Sequence, residues 1–220
     1  MARTTVADLL EERAGQAPDK LLVACGPARR TYREAAGIAA GLAAALAGVG
    51  VDAGERVAFL VPNRMERIDL FFACARRGAV QVPLNTFLKG EFLRHQLADS
   101  GAVTAVVDGP GLAAVAPLLP ELPELRRLVL LDDGPGPEVP PGCKAPDCIP
   151  YAALAAAAEA PGAGTTRAPR PGPDDLAAIV YTSGTTGPSK GCMFTQGYFV
   201  HTGAGMRVLL DLQPEDVYFT

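Results

Sequence analysis

No uninterrupted apolar run in the sequence reaches the roughly 18 residues that a membrane-spanning helix needs, although 49% of its residues are apolar. The opening stretch MARTTVADLLEERAG meets charge too early to hold the apolar core of a secretory leader. A cytoplasmic location and no membrane span are the expectations. A basic stripe is also missing: Lys and Arg number 20 against 24 acidic residues, the net charge is −4, and the cations are scattered, which argues against a nucleic-acid partner. Metal-type cysteine spacing is absent too. Cys143 and Cys148 bracket CKAPDC without the two-residue spacing of a zinc knuckle, and the chain's two histidines, His95 and His201, lie far from them. No metal site is expected, and the five cysteines read as unpaired thiols of a reducing compartment.

What is present is enough chain, 220 residues, to bury a substantial core. Thr5 with Asp8 and Thr31 with Glu34 form capping boxes that open helices over 6–16 and from 31 to about 47, with KLLVACGPARRTY between them as a short hairpin. Apolar strands are then expected at 56–63, 79–85, 102–109, 126–133 and 176–181. Helices are expected at 64–78, 89–101 and through Leu112 and Val115. Strands apolar on consecutive positions and separated by helices predict an α/β fold, a mostly parallel sheet with helices on both faces. The Pro- and Gly-rich stretch from Asp132 to Pro173 reads as a surface excursion carrying a short Ala-rich helix around 151–159. The pattern at 192–212 predicts a helix, interrupted near Gly203 and Gly205, and QPEDVYFT predicts a turn into a new strand.

The stretch with the most chemistry is YTSGTTGPSKG, residues 181–191. A Gly/Ser/Thr-rich loop after an apolar strand falls at the carboxyl edge of an α/β sheet, where ligands bind. Gly184 and Gly187 allow close backbone approach, the hydroxyls of Thr182, Ser183, Thr185 and Thr186 can donate to phosphate oxygens, and Lys190 supplies positive charge. The set fits a phosphate cradle. It is not the common nucleoside-triphosphate loop, because Ser189 stands where that loop needs Gly, and Gly191 where it needs Ser or Thr. Elsewhere, Cys74 is expected in the core, Cys25 in the hairpin and His95 at the surface, while Cys192 and His201 flank the loop without forming a catalytic dyad.

YTSGTTGPSKG closely resembles the phosphate-binding motif of the adenylate-forming superfamily, which includes acyl-CoA synthetases, aryl-CoA ligases, luciferases and peptide-synthetase adenylation domains. Thr182, Ser183, Gly184, Thr185, Thr186, Gly187, Lys190 and Gly191 fall on the pattern. TYREAAGIAAGLAAALAGVGVDAGERVAFLVPNRMERIDLFFACARRGAVQVPLN, DDLAAIVYTSGTTG and PEDVYFT resemble other parts of its N-terminal portion, so the likeness runs along the whole chain. Gln196 departs from it, standing where many members have a histidine.

The resemblance implies the first α/β subdomain of the large N-terminal domain of such enzymes. It also implies an ATP- and Mg2+-dependent ligase that converts a small or medium carboxylic acid to an acyl-adenylate, releases pyrophosphate and transfers the acyl group to coenzyme A. An alternative acceptor is the phosphopantetheine of a carrier protein, loaded by an adenylation domain; another alternative is a non-catalytic interaction module. The catalytic residues are expected after Thr220, in the remainder of the enzyme, so that residues 1–220 alone should be inactive. From the family's architecture, residues 1–54 are expected to pack on a second, mostly absent subdomain, and 55–220 to form the α/β subdomain carrying the loop. The apolar area thereby left open predicts a partner chain or a homodimer.

Overall fold

The computed structural model describes residues 4–132, 136–137, 146–162, 170–182 and 188–217. Helix α1 (Val6–Gln16) and helix α2 (Tyr32–Gly48) both start at complete capping boxes, Thr5 with Asp8 and Thr31 with Glu34. Between them strands β1 (Leu21–Cys25) and β2 (Ala28–Thr31) pair antiparallel in a two-stranded sheet of their own.

The following elements alternate as the periodicity predicts: β3 (Arg56–Leu60), α3 (Met65–Arg77), β4 (Val80–Pro83), α4 (Gly90–Asp99), β5 (Ala102–Val107), α5 (Gly109–Val115) and β6 (Arg127–Leu130). Strands β7 (Asp147–Pro150), β8 (Leu176–Thr182) and β9 (Lys190–Thr195) complete a seven-stranded sheet of order β7-β6-β5-β3-β4-β8-β9. Every neighbouring pair is parallel except β8–β9.

Alternate residues of the central strands serve two cores. Ala58, Leu60, Ala105, Val107, Leu128 and Leu130 pack on one face with Leu93 and Leu97 of α4. Val57, Phe59, Val106 and Val129 pack on the other with Leu42 and Leu46 of α2, Leu70 and Cys74 of α3, and Leu154. This is why the strands read as continuous apolar runs: a parallel sheet covered on both sides has no polar face.

Two expectations need correction. The segment after Asp132 is not merely a surface excursion: β7 extends the sheet beside β6, and α6 (Tyr151–Glu159) lies on α2 with Leu154 fully buried. Gly41 permits that approach, since a Cβ there would come within 2.3 Å of the Ala158 carbonyl oxygen. Residues 190–195 are strand rather than helix, because β8 offers them an antiparallel partner; α7 (Gln196–Leu209) starts only at the Thr195 cap and runs through Gly203 and Gly205 without a break. As expected, Gln213–Asp216 is a turn, closed by a hydrogen bond from the Gln213 backbone N–H to the Asp216 side chain, while the end of the expected last strand, 218–220, lies outside the described residues. Among the described residues no helix is long and apolar enough to cross a membrane.

Candidate functional site

The parallel strands β3 to β8 all finish at one edge of the sheet, and β8 delivers Thr182 there. Thr182 is the cross-strand partner of Lys190, and Tyr181 of Gly191, so the Gly/Thr-rich stretch closes as a hairpin. Thr182 and Lys190 are both exposed at its mouth. Ser183, Gly184, Thr185, Thr186 and Gly187 lie outside the described residues. Lys190 is in no ion pair among the described residues, which leaves its ammonium available to an anion.

The two stems of the hairpin are held by α4. Nε2 of His95 lies 3.0 Å from the Ser189 carbonyl oxygen, which can only accept, so Nε2 carries the hydrogen. Gln96 donates from Nε2 to Ser189 Oγ at 3.0 Å, and Tyr181 donates from its phenol to Asp99 Oδ2 at 2.6 Å. The His95 and Tyr181 rings meet edge to face, 6.3 Å between centroids. Burial, followed by the hydrogen bond to Asp99, pushes the Tyr181 phenol above its ordinary range, so it stays a donor at neutral pH.

Gly191 has a steric reason to be glycine. A Cβ there would lie 2.7 Å from Ile179 Cγ2 and 3.3 Å from Tyr181 Cζ, in the space across which the tyrosine ring is laid.

His95 is therefore not the plain surface residue expected from its charged neighbours. The signal for it was faint: His95, Gln96 and Asp99 lie on one side of a helix whose other side carries Leu93 and Leu97. Gln196, by contrast, is wholly buried; its Oε1 accepts from the Val6 backbone N–H at 3.4 Å and its Nε2 meets no acceptor among the described residues. His201 is exposed on α7. Cys74 is in the core as expected, Cys25 is half-buried, Cys148 and Cys192 are exposed, and Cys143 lies outside the described residues. Among the described residues no three His, Cys, Asp or Glu side chains come together as metal ligands.

A second polar cluster occupies the same edge of the sheet. Arg64, at the start of α3, reaches Asp132 at 2.7 Å and Glu66 at 3.1 Å, while Asp132 also accepts from the Gly109 backbone N–H at 3.0 Å. These bonds, that from Arg64 foremost, hold the Asp132 carboxyl below its ordinary range. All the charges in this cluster are paired, whereas Lys190 has no ion-pair partner among the described residues.

The chain and its fold are both similar to known proteins. Residues 10–220 match the family of AMP-binding enzymes. The chain is 33% identical over 208 residues to a feruloyl-CoA synthase of Amycolatopsis sp, covering 93% of this chain and 36% of that protein. It is 32% identical over 215 residues to an indoleacetate–CoA ligase of Aromatoleum aromaticum, covering 98% and 39%. The crystal structure of the anthranilate CoA ligase AuaEII in complex with anthranoyl-AMP superimposes with a TM-score of 0.79 at 25% identity, over 93% of this chain and 37% of that one.

The chain belongs to the AMP-binding, adenylate-forming superfamily and corresponds to its N-terminal region. It spans little more than a third of the length of these relatives.

Proposed function

We propose that this chain is the N-terminal portion of an ATP-dependent carboxylate–CoA ligase that forms an acyl-adenylate, releases pyrophosphate and passes the acyl group to coenzyme A. The observation that carries this reading is the hairpin closed by Thr182 and Lys190 at the carboxyl edge, with an exposed, unpaired lysine beside a hydroxyl-rich loop. Lys190, Thr182 and the loop residues Ser183, Gly184, Thr185, Thr186 and Gly187 would hold the β and γ phosphates while negative charge shifts onto departing pyrophosphate. The donor set fits a phosphate. Magnesium, when bound, would screen the same oxygens, and its protein ligands belong to the rest of the enzyme, as do the groups that orient the carboxylate and the nucleoside.

Residues 1–54 are proposed to bear on a second subdomain supplied by that remainder; Leu9 and Leu21, at 39% and 47% exposure, are apolar side chains such a surface would cover. A homodimer is an alternative cover.

The test is ATP–pyrophosphate exchange by the full-length protein over a panel of carboxylic acids. The panel begins with aryl acids, because relatives are named for feruloyl-CoA, indoleacetate and anthranilate. An acceptor assay with coenzyme A against carrier proteins then follows. Lys190→Ala should reduce exchange by about 100-fold or more, in line with removal of one electrostatic contact to a developing oxyanion. Unchanged exchange would sink the assignment, and transfer to carrier proteins alone would move the enzyme to the adenylation-domain class.

A further inference from the structure

Both stems of the hairpin are tied to one helix. From α4, His95 and Gln96 engage the carbonyl and hydroxyl of Ser189, the residue before Lys190, and Asp99 engages Tyr181, the residue before Thr182. Gln96 is 7% exposed, flanked in sequence by residues around the buried Leu93 and Leu97. A buried amide costs stability unless it is hydrogen-bonded, and a leucine would fill the same place without that demand. The partner that satisfies it is the Ser189 hydroxyl, so this helix carries polar groups where packing alone would not require them.

We propose that α4 is a positioning element for the phosphate loop: His95 and Gln96 fix Ser189, Asp99 fixes Tyr181, and the pair sets the separation at which Lys190 and Thr182 meet a polyphosphate. His95, Gln96 and Asp99 touch no phosphate themselves; they act through the hairpin. Holding the stems in place before the ligand arrives removes an ordering cost from binding, and a displacement of about 1 Å at such a site costs up to about 100-fold in rate. The inference rests on reading 181–191 as the phosphate loop.

The experiment uses the full-length protein with whichever carboxylic acid supports exchange. His95→Ala should raise the KM for ATP by about tenfold and leave the KM for the acid unchanged, a split that general destabilisation would not produce. His95→Gln, which restores an N–H donor toward the Ser189 carbonyl, should recover most of the loss. Gln96→Leu keeps the volume and the apolar packing, so urea unfolding should be no weaker than wild type while the KM for ATP rises. An unchanged KM for ATP in both His95→Ala and Gln96→Leu, beside a clear loss in Lys190→Ala, overturns the positioning role and leaves the loop assignment standing. No loss in Lys190→Ala overturns both.

Discussion

Arg30 and Asp69 form a bidentate ion pair that ties the β1–β2 hairpin to α3, with Nε to Oδ1 at 3.3 Å and Nη2 to Oδ2 at 3.0 Å. The Asp69 side chain is 3% exposed and that of Arg30 is 28% exposed, so the carboxylate carries most of the desolvation. Burial pushes the Asp69 carboxyl above its ordinary range against the opposing hydrogen bond from Arg30, while that bond raises the pKa of Arg30.

Removing Arg30 alone strands a buried charge. Arg30→Ala is expected to cost about 2–3 kcal/mol, discounted from the fully buried case because the guanidinium is partly solvated. The double substitution Arg30→Met with Asp69→Leu should cost less than the single one. Without Arg30 the folded-state pKa of Asp69 rises further above its unfolded value. Stability is then retained at low pH and lost as pH climbs through the folded pKa, so the deficit against wild type should widen from acid toward neutral pH. Urea unfolding of the three proteins across that range checks it; a deficit independent of pH would contradict the account.

Gly41 is a packing requirement where α2 meets α6. Gly41→Val would drive its side chain into the Ala158 carbonyl and should destabilise the protein by ~1–3 kcal/mol or detach α6. Thermal unfolding and the proteolytic sensitivity of 151–159 read the two outcomes.

The thiols should separate by burial. Cys192 and Cys148 are exposed and Cys74 is fully buried, its thiol pushed up to about 12 by desolvation. Iodoacetamide at neutral pH should modify Cys192 while Cys74 reacts only on unfolding. Because the folded pKa of Cys74 exceeds the unfolded one of about 9, its contribution is intact below pH 9 and declines as pH rises toward 12. Cys74→Ala should lack that part of the alkaline decline.

Gly191→Ala should disturb the hairpin more than its one methyl implies, because the new carbon contests the space of Ile179 and Tyr181. The expected result is a weakened Tyr181–Asp99 bond, read as a lower phenolic pKa in an ultraviolet titration against wild type.

Much of the architecture is legible in the sequence because capping and periodicity are local. The Thr5–Asp8 and Thr31–Glu34 boxes mark helix starts to the residue. Strand β7 was hidden because Asp147–Pro150 is a four-residue edge strand with no alternation, recruited by its neighbour β6 rather than by its own pattern. Strand β9 is hidden because the aromatic spacing of Phe194, Tyr198 and Phe199 spans the true boundary at Thr195 and mimics a helix; pairing with β8 decides the matter, and that contact is tertiary.

At the site, the residue types of Thr182 and Lys190 are what point to an anion, and the structure leaves both exposed at the end of the β8–β9 pair. The residues holding the loop were not readable in this way. His95 and Gln96 are more than ninety positions from Ser189, and nothing local in KGEFLRHQLADSG announces which of its polar groups has a partner across the fold.

The turn-back of β9 has an electrostatic corollary. In a strand–loop–helix unit the amino end of the helix brings a partial positive charge to a bound phosphate. Here α7 starts only after β9 has run back along β8 to Thr195, opposite Leu176 at the start of β8, so its dipole is spent at the far rim. If the hairpin holds the anion as proposed, Lys190 rather than a helix terminus would supply the positive charge. Under that reading, affinity for polyphosphate would hinge on the one charge at position 190, with the modest salt dependence a single cationic contact gives.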